Sequence, residues 1–298
     1  MTQSKKHVVG VVAKVQDSQA QLLAKKLVTW LSEKHIPSIF DRKTAEAIGV
    51  NLETTKTCER EELSSKATIV VSLGGDGTLL SVARFPVENP PLMLGVNLGT
   101  LGFLTEILPT ELFQTLEAAI NGSVSEQKQF LLSTSVIRNG VEVEKYSALN
   151  DIVITKEALA RVFTVEIGID KSVAAAIRGD GIIVASPGGS TAYSLSAGGS
   201  IVHPQVNAIL ITPICPHSLT TRPLVIPSAS TVSLTISRSK LKNDKVYLTI
   251  DGQEGMALSS GDAVQVTTSD SFVRLVASTE RTYYQHLATK LQWATSSH

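Results

Sequence analysis

The spacing of hydrophobic residues changes character near residue 130. Before that point, short apolar runs such as Val8–Val12 and Leu92–Val96 alternate with segments of helical spacing, of which Leu22–Leu31 is the clearest. Strands that alternate with helices are typical of a parallel α/β sheet, whose ligands bind beyond the carboxyl ends of the strands. From Gln129 onward the apolar residues recur with a period of two, which predicts strands with one buried face.

The change of period predicts two domains with different folds. Residues 1–128 are expected to form a parallel α/β nucleotide-binding domain, and residues 129–270 a β-rich, sandwich-like domain. Residues 271–298 contain helical spacing around Leu287, so this last helix is expected to return to the first domain and complete it. The length of 298 residues agrees with this division, since single cores seldom grow beyond roughly 250–300 residues.

Cap and turn signals refine these elements. Asp17 or Ser18 is expected to cap the first helix, and Thr110 a helix that ends at Asn121-Gly122. Asn139-Gly140 predicts a two-residue hairpin turn. Residues 45–63 are polar with weak helical spacing and are not divided further. Further strands are predicted at Val162–Ile169, Ile182–Ala185, Ala208–Ile214, Thr231–Ile236, Lys245–Ile250, Ala263–Thr267 and Phe272–Val276.

The segment Thr68–Leu80, T-I-V-V-S-L-G-G-D-G-T-L-L, organises the first half of the chain. Its apolar run is too short for a helix and is typical of a strand buried on both faces of a parallel sheet. Gly74, Gly75 and Gly77 then remove side chains where the backbone leaves the strand, so an anionic ligand can approach main-chain N–H groups. A second glycine-bearing loop, Asn97–Leu104, follows the next predicted strand and is expected at the same edge of the sheet.

Asp76 is the charged side chain of the first glycine loop. A carboxylate beside phosphates is unfavourable unless it binds a metal ion or accepts a proton, so Asp76 is a candidate for either role. The loop is also compatible with a tight strand-to-helix turn in which Asp76 caps the helix. Thr78 is a second candidate for that cap.

Small and hydroxyl-bearing residues cluster in the second half. The cluster begins with Arg178-Gly179-Asp180-Gly181 and continues as S-P-G-G-S-T-A-Y-S-L-S-A-G-G-S over Ser186–Ser200. No strand or helix pattern accounts for it, which suits a loop wrapped around a ligand and equally a surface loop with solvated serines. Asn150-Asp151 lies between apolar flanks, where its side chains can bind ribose hydroxyls or cap a β-turn.

The amino-acid composition argues against several classes of binding partner. Lys plus Arg and Asp plus Glu each number 27, so no net charge attracts nucleic acid or an anionic membrane. Aromatic residues are scarce, which argues against a stacking platform for single-stranded nucleic acid, and no apolar run reaches the length of about 18 that a membrane helix needs. Cys58 and Cys215 cannot form a disulfide framework, and the N-terminus is too poor in apolar residues for a signal peptide, so a cytoplasmic protein is expected.

Taken together, the motifs resemble those of the NAD kinase family. G-G-D-G alone is shared with diacylglycerol kinases, sphingosine kinases and phosphofructokinases, whereas G-S-T-A-Y with S-A-G-G is more specific. The chain departs from the family pattern at Gly188, Ser200 and Asp151, where the family has threonine, proline and glutamate. The resembling segments span nearly the whole chain in the family's order and are Gly74–Thr78, Asn97–Glu106, Leu149–Asp151 and Asp180–Gly199.

The resemblance implies transfer of a phosphoryl group from ATP, or from inorganic polyphosphate, to the 2′-hydroxyl of the adenosine ribose of NAD. Asp76 would be the catalytic base and an indirect partner of a divalent metal ion, with Mg²⁺ expected. Phe103 would lie against a base, although without the resemblance it is equally a core residue, and Arg178 and Asp180 equally a surface pair. The nucleotide-binding residues so implied are Gly74, Gly75, Gly77, Thr78, Phe103, Asn150, Asp151, Arg161, Arg178, Asp180, Thr191, Ala192, Tyr193, Ser194, Leu195, Ser196 and Gln253.

The same resemblance makes residues 129–270 the NAD-binding domain. It implies a homodimer or homotetramer whose ligands are NAD and ATP, with neither nucleic acid nor a membrane as a partner. A lipid kinase of the diacylglycerol type would share G-G-D-G-T but is expected to show an apolar or basic membrane-facing run, and none is present in the sequence. A non-catalytic dinucleotide sensor would keep G-S-T-A-Y without needing Asp76. The sequence does not distinguish ATP from polyphosphate, or NAD from NADH.

Overall fold

The computed structural model describes residues 7–100, 102–157, 162–237, 245–278 and 281–293. The chain divides into two compact units, Met1–Lys128 with Ser271–His298, and Gln129–Asp270. The predicted fold class, a parallel α/β part and a β-rich part, is confirmed. None of the helices in the described ranges is long and apolar enough to cross a membrane.

The first unit is a parallel sheet flanked by helices. Its strands lie in the order β5-β4-β1-β2-β3 and pair in parallel throughout. A 3₁₀ turn at Arg60–Glu62 precedes α3. The strands are β1 (Val9–Ala13), β2 (Ser38–Asp41), β3 (Thr57–Cys58), β4 (Ile69–Gly74) and β5 (Leu92–Asn97), and the helices are α1 (Ser18–Glu33), α2 (Arg42–Ile48), α3 (Leu63–Lys66), α4 (Asp76–Ala83) and α5 (Leu112–Ile120).

Local sequence explains most helix starts in this unit. The Asp17 carboxylate caps α1 by accepting the N–H groups of Gln19 and Ala20 at 2.9 and 3.2 Å, as predicted. The predicted cap at Thr110 is wrong, because Glu111 occupies the N-cap position of α5. Thr78 does not cap α4 either: that helix begins two residues earlier at Asp76, so Thr78 lies inside its first turn.

The strand order places the first glycine loop at a reversal of the sheet. β2 and β3 lie on one side of β1, whereas β4 and β5 lie on the other. Such a switch point leaves a crevice at the carboxyl ends of the two strands that flank it, here β1 and β4. Lys14 follows β1, and Gly75 follows β4, so these residues stand at the crevice.

The second unit consists of two antiparallel sheets that share a core. One sheet has the order β13-β12-β11-β8-β15-β16, and the other contains β10-β9-β14-β17 with β6 beside β17 and β7 beside β6. A 3₁₀ turn at Gly188–Thr191 and the short helix α6 (Tyr193–Ser196) interrupt them. The strands are β6 (Glu126–Arg138), β7 (Val141–Ala148), β8 (Asp151–Lys156), β9 (Phe163–Ile169), β10 (Ser172–Gly179), β11 (Gly181–Ala185), β12 (Ala208–Ile214), β13 (Leu224–Pro227), β14 (Val232–Ile236), β15 (Val246–Ile250), β16 (Glu254–Leu258) and β17 (Ala263–Val276).

Alternating side chains build the core of this unit. Ile152 and Ile182 of the first sheet share one buried cluster with Val165 and Leu234 of the second, which is the arrangement of a sandwich. The predicted hairpin turn at Asn139-Gly140 is confirmed, since both residues have positive φ, 51° and 79°, and join β6 to β7.

One long strand replaces two predicted ones near the end of the chain. β17 runs without interruption through the polar residues 267–271, where a break between Ala263–Thr267 and Phe272–Val276 was predicted. Its first residues pair with β14, and its last, Arg274 and Leu275, pair in parallel with β5. The helix α7 (Tyr283–Lys290) then packs Leu287 into the first unit.

Candidate active site

The glycines of the first loop serve different purposes. A Cβ at Gly74 would come within 2.4 Å of the Thr78 hydroxyl, so the end of β4 and the first turn of α4 pack too closely for a side chain. A Cβ at Gly75 would meet no atom within 4 Å, so the space beside its backbone is open. Because Gly75 is also the N-cap of α4, this open backbone favours an anionic ligand.

The carboxylate of Asp76 is held by the loop that follows β5. Oδ2 accepts the N–H of Phe103 at 2.7 Å, whereas Oδ1 accepts the N–H groups of Leu104 and Thr105 at 3.1 and 2.9 Å and the Thr105 hydroxyl at 2.8 Å. The interpretation of Asp76 as a helix cap is therefore wrong, because Gly75 is the N-cap and the Asp76 side chain is directed to another loop. The carboxylate instead ties the two glycine-bearing loops together.

Helix α7 supports the same loop from its other side. The carbonyl oxygen of Gly102 is hydrogen-bonded by Nε2 of His286, and because a carbonyl can only accept, Nε2 carries the proton. The His286 ring lies 5.7 Å from the ring of Phe103, centroid to centroid. A Cβ at Gly102 would approach Oδ1 of Asp76 to 2.0 Å, so this glycine lets the loop reach the carboxylate. A lone histidine in a helical stretch carries no sequence signal, and His286 was missed.

A pocket of about 400 Å³ opens at the switch point of the first unit. Gly75, Gly77 and Thr78, all predicted ligand contacts, line it together with residues 13–16 after β1. Its remaining lining includes Lys43 and Arg60. Asp76 lies next to this pocket in sequence but directs its carboxylate to the Phe103–Thr105 loop.

A second pocket of about 390 Å³ lies in the second unit. Four of the residues predicted from the sequence come together in it, Asn150, Asp151, Ala192 and Tyr193. The Tyr193 ring is exposed at the pocket and provides a flat apolar surface. This volume is within the range of small-molecule sites. The pocket is completed by Val153, Thr155, Thr249, Asp251 and Gly252.

Asp251 organises the floor of the second pocket and was not predicted. It begins the hairpin turn between β15 and β16, where Asp251 and Gly252 have φ values of 49° and 64°. Its carboxylate accepts the backbone N–H groups of Leu149, Asn150 and Asp151 at 2.9, 2.8 and 3.0 Å. The Asp-Gly pair in a hairpin was the available sequence signal.

Two polar groups of the second pocket are buried and retain hydrogen-bonding capacity. Oδ1 of Asn150 is buried without a hydrogen-bond partner among the described residues. Asp151 is only 4% exposed, and burial together with the charge of Asp251 raises its pKa to about 7, although the N–H of Tyr193 acts in the opposite direction. Near neutral pH Asp151 can therefore be a donor or an acceptor of hydrogen bonds.

The serine-rich stretch is folded into short helical turns, although no helix was predicted there. The hydroxyls of Ser186 and Ser190 donate to the carbonyl oxygens of Leu149 and Val202, and Ser194 is fully buried with its Oγ 2.8 Å from that of Thr212. These hydroxyls hold backbone and core together, so the interpretation of a loop with solvated serines is wrong for them. The side chain of Ser194 is thereby removed from the ligand contacts, and the Thr191 hydroxyl is bound to the Gly188 carbonyl.

The two adjacent glycines of this stretch allow close packing. A Cβ at Gly189 would come within 2.0 Å of the Asn150 carbonyl oxygen, so the turn touches the backbone that carries the second pocket. A Cβ at Gly188 would come within 2.4 Å of Oε1 of Gln129, a buried side chain. Gln129 thus occupies the space that a side chain at position 188 would enter.

Other predicted contacts lie elsewhere. Gln253 lines an adjoining cavity of about 440 Å³ along the β15–β16 hairpin, which shares Thr249 and Gly252 with the second pocket. Asp180 forms an ion pair with Lys156 at 3.6 Å, so its interpretation as the surface partner of Arg178 is wrong, and both lie apart from the described lining of the second pocket. Leu195 and Ser196 belong to α6. Arg161 lies outside the described residues.

A divalent metal ion such as Mg²⁺ is bound by carboxylates and other oxygen ligands. Within the ranges that the structure describes, no group of three or more His, Cys, Asp and Glu could hold one. Both oxygens of Asp76 already accept hydrogen bonds. These side chains alone do not fit a resident Mg²⁺ ion.

The chain is similar to known proteins over nearly its whole length. Residues 9–124 match the ATP-NAD kinase N-terminal domain, and residues 149–278 match the ATP-NAD kinase C-terminal domain. An NAD kinase of Geobacter sulfurreducens is 42% identical over 285 residues, which cover 96% of this chain and 98% of that protein. An NAD kinase of Heliobacterium modesticaldum is 40% identical over 285 residues, which cover 95% and 98%.

Two solved structures share the fold. Yeast NADH kinase complexed with NADH has a TM-score of 0.89 and 28% identity, with 98% of this chain and 89% of that chain covered. An NAD kinase from Archaeoglobus fulgidus in complex with ATP has a TM-score of 0.74 and 23% identity, with 96% and 98% covered. At 23% sequence identity, the second structure shows a similarity of fold alone.

Proposed function

Because this chain belongs to the NAD kinase family, we propose that it transfers the γ-phosphoryl group of ATP to the 2′-hydroxyl of the adenosine ribose of NAD, giving NADP and ADP. The observation that carries the proposal is the glycine loop, where an open backbone at the start of α4 adjoins a carboxylate fixed by four hydrogen bonds. Phosphoryl transfer depends on positioning and on charge stabilisation, and this loop supplies the means for both.

Asp76 is the catalytic base in this proposal, and its two oxygens are not equivalent. Oδ1 accepts three hydrogen bonds and Oδ2 accepts one. A carboxylate oxygen has about two lone-pair sites, so Oδ2 retains room for the ribose hydroxyl proton. The bonds from the Leu104 and Thr105 N–H groups orient the carboxylate while Oδ2 accepts that proton.

The pocket of the second unit is the proposed NAD site. The polar groups of Asn150 and Asp151 suit ribose hydroxyls, and the exposed ring of Tyr193 suits a stacked base. The backbone groups of Thr191 and Ala192 lie at the end of the 3₁₀ turn that precedes Tyr193. Contacts from Phe103, Arg178, Asp180, Leu195, Ser196 and Gln253 remain predictions of the family resemblance.

In this proposal Mg²⁺ binds together with the phosphoryl donor. It usually keeps several waters and is bound by substrate phosphates with one or two carboxylates, which suits a chain whose described side chains form no metal cluster of their own. The bound ion would supply charge neutralisation at the phosphates. Asp76 would interact with the ion indirectly.

We also propose that the protein is a cytoplasmic homo-oligomer. Support for association comes from the edge strand β13, where Leu224 and Val225 are both exposed. Exposed apolar residues on a sheet edge favour contact with another chain.

The decisive test is to incubate the purified protein with NAD, ATP and Mg²⁺ and to measure NADP. Parallel reactions with NADH in place of NAD, with polyphosphate in place of ATP, and with diacylglycerol in vesicles compare acceptors and donors. Formation of NADP that is abolished by omitting either nucleotide is the expected result. Phosphorylation of the lipid at a comparable rate, or absence of any NADP, would contradict the proposal.

A further inference from the structure

The pocket beside the glycine loop carries more positive charge than the loop itself provides. Lys14, Lys43 and Arg60 all line it, and its described lining includes no carboxylate. Lys14 is fixed at the end of β1, where its backbone N–H donates to the Leu73 carbonyl at 2.9 Å. Lys43 lies in the first turn of α2. Cations from separate elements thus converge on one cavity.

The charge of the arginine in this pocket is balanced by a carboxylate, whereas the charges of the two lysines are not. Arg60 is neutralised, because its Nε and Nη2 donate to the buried Asp41 carboxylate at 3.2 and 2.9 Å, and its Nη1 donates to the Ser81 hydroxyl at 3.1 Å. Lys14 and Lys43 are exposed and form no ion pair with any residue in the described ranges. Two uncompensated charges therefore face the cavity.

We propose that Lys14 and Lys43 bind the phosphate chain of the phosphoryl donor. The inference rests on the proposed function and adds donor residues to it. A lysine ammonium is a flexible point charge that can follow phosphate oxygens, and the start of α4 favours the same negative charge. Both lysines contact the donor and neither contacts the acceptor NAD, because the proposed NAD pocket has a different lining.

The cavity recognises the phosphate chain of the donor and not its nucleoside. No aromatic side chain stands in the described lining of the cavity to stack on a base. Gly75, with open space beside its backbone, allows a phosphate to approach the helix start directly. Inorganic tripolyphosphate is therefore a suitable probe for the site. ATP and polyphosphate share this chemistry, and they are compared as separate donors.

The test replaces each lysine by glutamine, singly and together. A hydrogen bond to a charged group is worth enough to change affinity by about tenfold, so Lys14→Gln and Lys43→Gln should each raise the KM for ATP by about tenfold. The double variant should raise it by about a hundredfold, with the KM for NAD unchanged. Lys26→Gln, which removes an exposed charge from α1, is the matched control and should change neither KM.

Tripolyphosphate provides a readout that does not depend on turnover. It should inhibit the wild-type protein competitively against ATP and bind it in calorimetry, and both effects should be lost in the double variant. An unchanged KM for ATP in a double variant with wild-type melting temperature would overturn this inference while the kinase function stands. A rise in the KM for NAD alone would also overturn it.

The two proposals can fail separately. If the wild-type protein forms no NADP, the proposed function fails, and calorimetry with tripolyphosphate still decides the inference about the cavity. Binding that depends on Lys14 and Lys43 would support it. Equal binding by the wild type and the double variant, or no binding by either, would overturn it.

Discussion

In the proposed function, Asp76 combines a structural and a chemical task in one side chain. Its bonds to Phe103, Leu104 and Thr105 fix the loop after β5, whereas the remaining lone-pair site of Oδ2 is what the proposed chemistry uses. A substitution at this position therefore changes stability and turnover together. The two effects have to be separated by a control that loses stability alone.

Replacement of Asp76 by asparagine should lower kcat by about 10²–10⁴-fold, because the amide cannot act as a base. The free energy of unfolding should fall by about 1–3 kcal/mol, since one loop N–H loses its acceptor. The measurements are kcat, NAD affinity and urea denaturation. Asp17→Ala, which removes the cap of α1 and should cost about 0.5–2 kcal/mol with kcat unchanged, is the control. Normal turnover in Asp76→Asn would end the catalytic assignment.

Asp151 should make stability depend on pH. Its pKa of about 7 in the folded protein lies above the ordinary value of 3.8, so the folded state holds this proton more tightly than the unfolded chain. The stabilisation from the proton is complete below about pH 4 and is lost as the pH rises through the folded pKa. We expect Asp151→Asn to gain stability relative to the wild type between pH 5 and pH 8, by on the order of a few kcal/mol.

Urea denaturation of both proteins across that pH range measures the difference. Other groups titrate in this range, and the comparison removes their contribution because the two chains differ at one position. Glu33→Gln, a change at the exposed end of α1, controls for the loss of one negative charge. A constant difference between Asp151→Asn and the wild type from pH 5 to pH 8 would show that the buried carboxyl does not titrate there.

Among the elements, helix α7 has the most direct link to the proposed chemistry. It contributes the buried His286, whose bond to the Gly102 carbonyl and ring contact with Phe103 brace the loop that holds Asp76. Its start is fixed by a capping box in which Thr282 accepts the N–H of Gln285 and Gln285 accepts the N–H of Thr282. A helix near the end of the chain thus positions a loop far away in sequence.

His286→Ala should reduce kcat by about tenfold while the KM for NAD stays near its wild-type value. The variant leaves the Gly102 carbonyl without its donor and loosens the loop that orients Asp76, which also costs about 1–3 kcal/mol of stability. His286→Gln retains an N–H donor and should recover part of kcat. Tyr284→Ala, on the exposed side of the same helix, is the control. Unchanged kcat in a destabilised His286→Ala variant would make the contact purely structural.

Most strands that were predicted from the sequence lie inside the sheets, whereas most of those that were missed lie at sheet edges. Interior strands such as β11 and β12 have buried apolar runs and were predicted nearly to the residue. Among the missed strands, β10, β13 and β16 are largely exposed edge strands and β3 is an edge strand of two residues, whereas β8 is a buried interior strand. An edge strand needs no apolar alternation because solvent covers it, so its sequence lacks the signal.

The candidate site residues were predictable from the sequence to a similar degree. Asp76, Asn150 and Asp151 stood out because polar residues interrupt apolar runs at the carboxyl ends or starts of strands. His286 binds the Gly102 carbonyl 184 residues away, and Asp251 binds the Asp151 N–H 100 residues away. Such contacts exist only in the folded chain. For the same reason the burial of Ser194 against Thr212 could not be read from its serine-rich segment.

At the scale of the whole molecule, the change of period near residue 130 marks a real division, although not a break in the strands. The structure divides between residues 128 and 129 and between residues 270 and 271, and these points lie inside β6 and β17. The polar residues 267–271 suggested two strands because a run without apolar residues is typical of a turn. Backbone pairing at both ends of β17 keeps the strand continuous.

Exposed apolar residues on the edge strands of the second unit predict self-association. β13 is an edge of the six-stranded sheet, with Leu224 and Val225 exposed, and Leu219 in the segment before it is 95% exposed. Val173 is exposed on β10, the edge of the other sheet. Adjacent exposed apolar residues beside unpaired backbone groups favour association, and a second copy of this chain presents the same edge.

Leu224→Glu combined with Val225→Lys should weaken self-association by at least about tenfold, because charges cannot be buried in a contact between two apolar edges. Light scattering after size exclusion, over a range of protein concentrations, should show an oligomer for the wild type and a smaller species for the variant. Val141→Lys, at a valine that is 63% exposed on the β6–β7 hairpin, tests whether any exposed valine gives the same result. Its mass should match the wild type. A wild-type monomer at all concentrations would remove the homo-oligomer from the proposal, whereas an oligomer unaffected by the double substitution would place the contact on another surface.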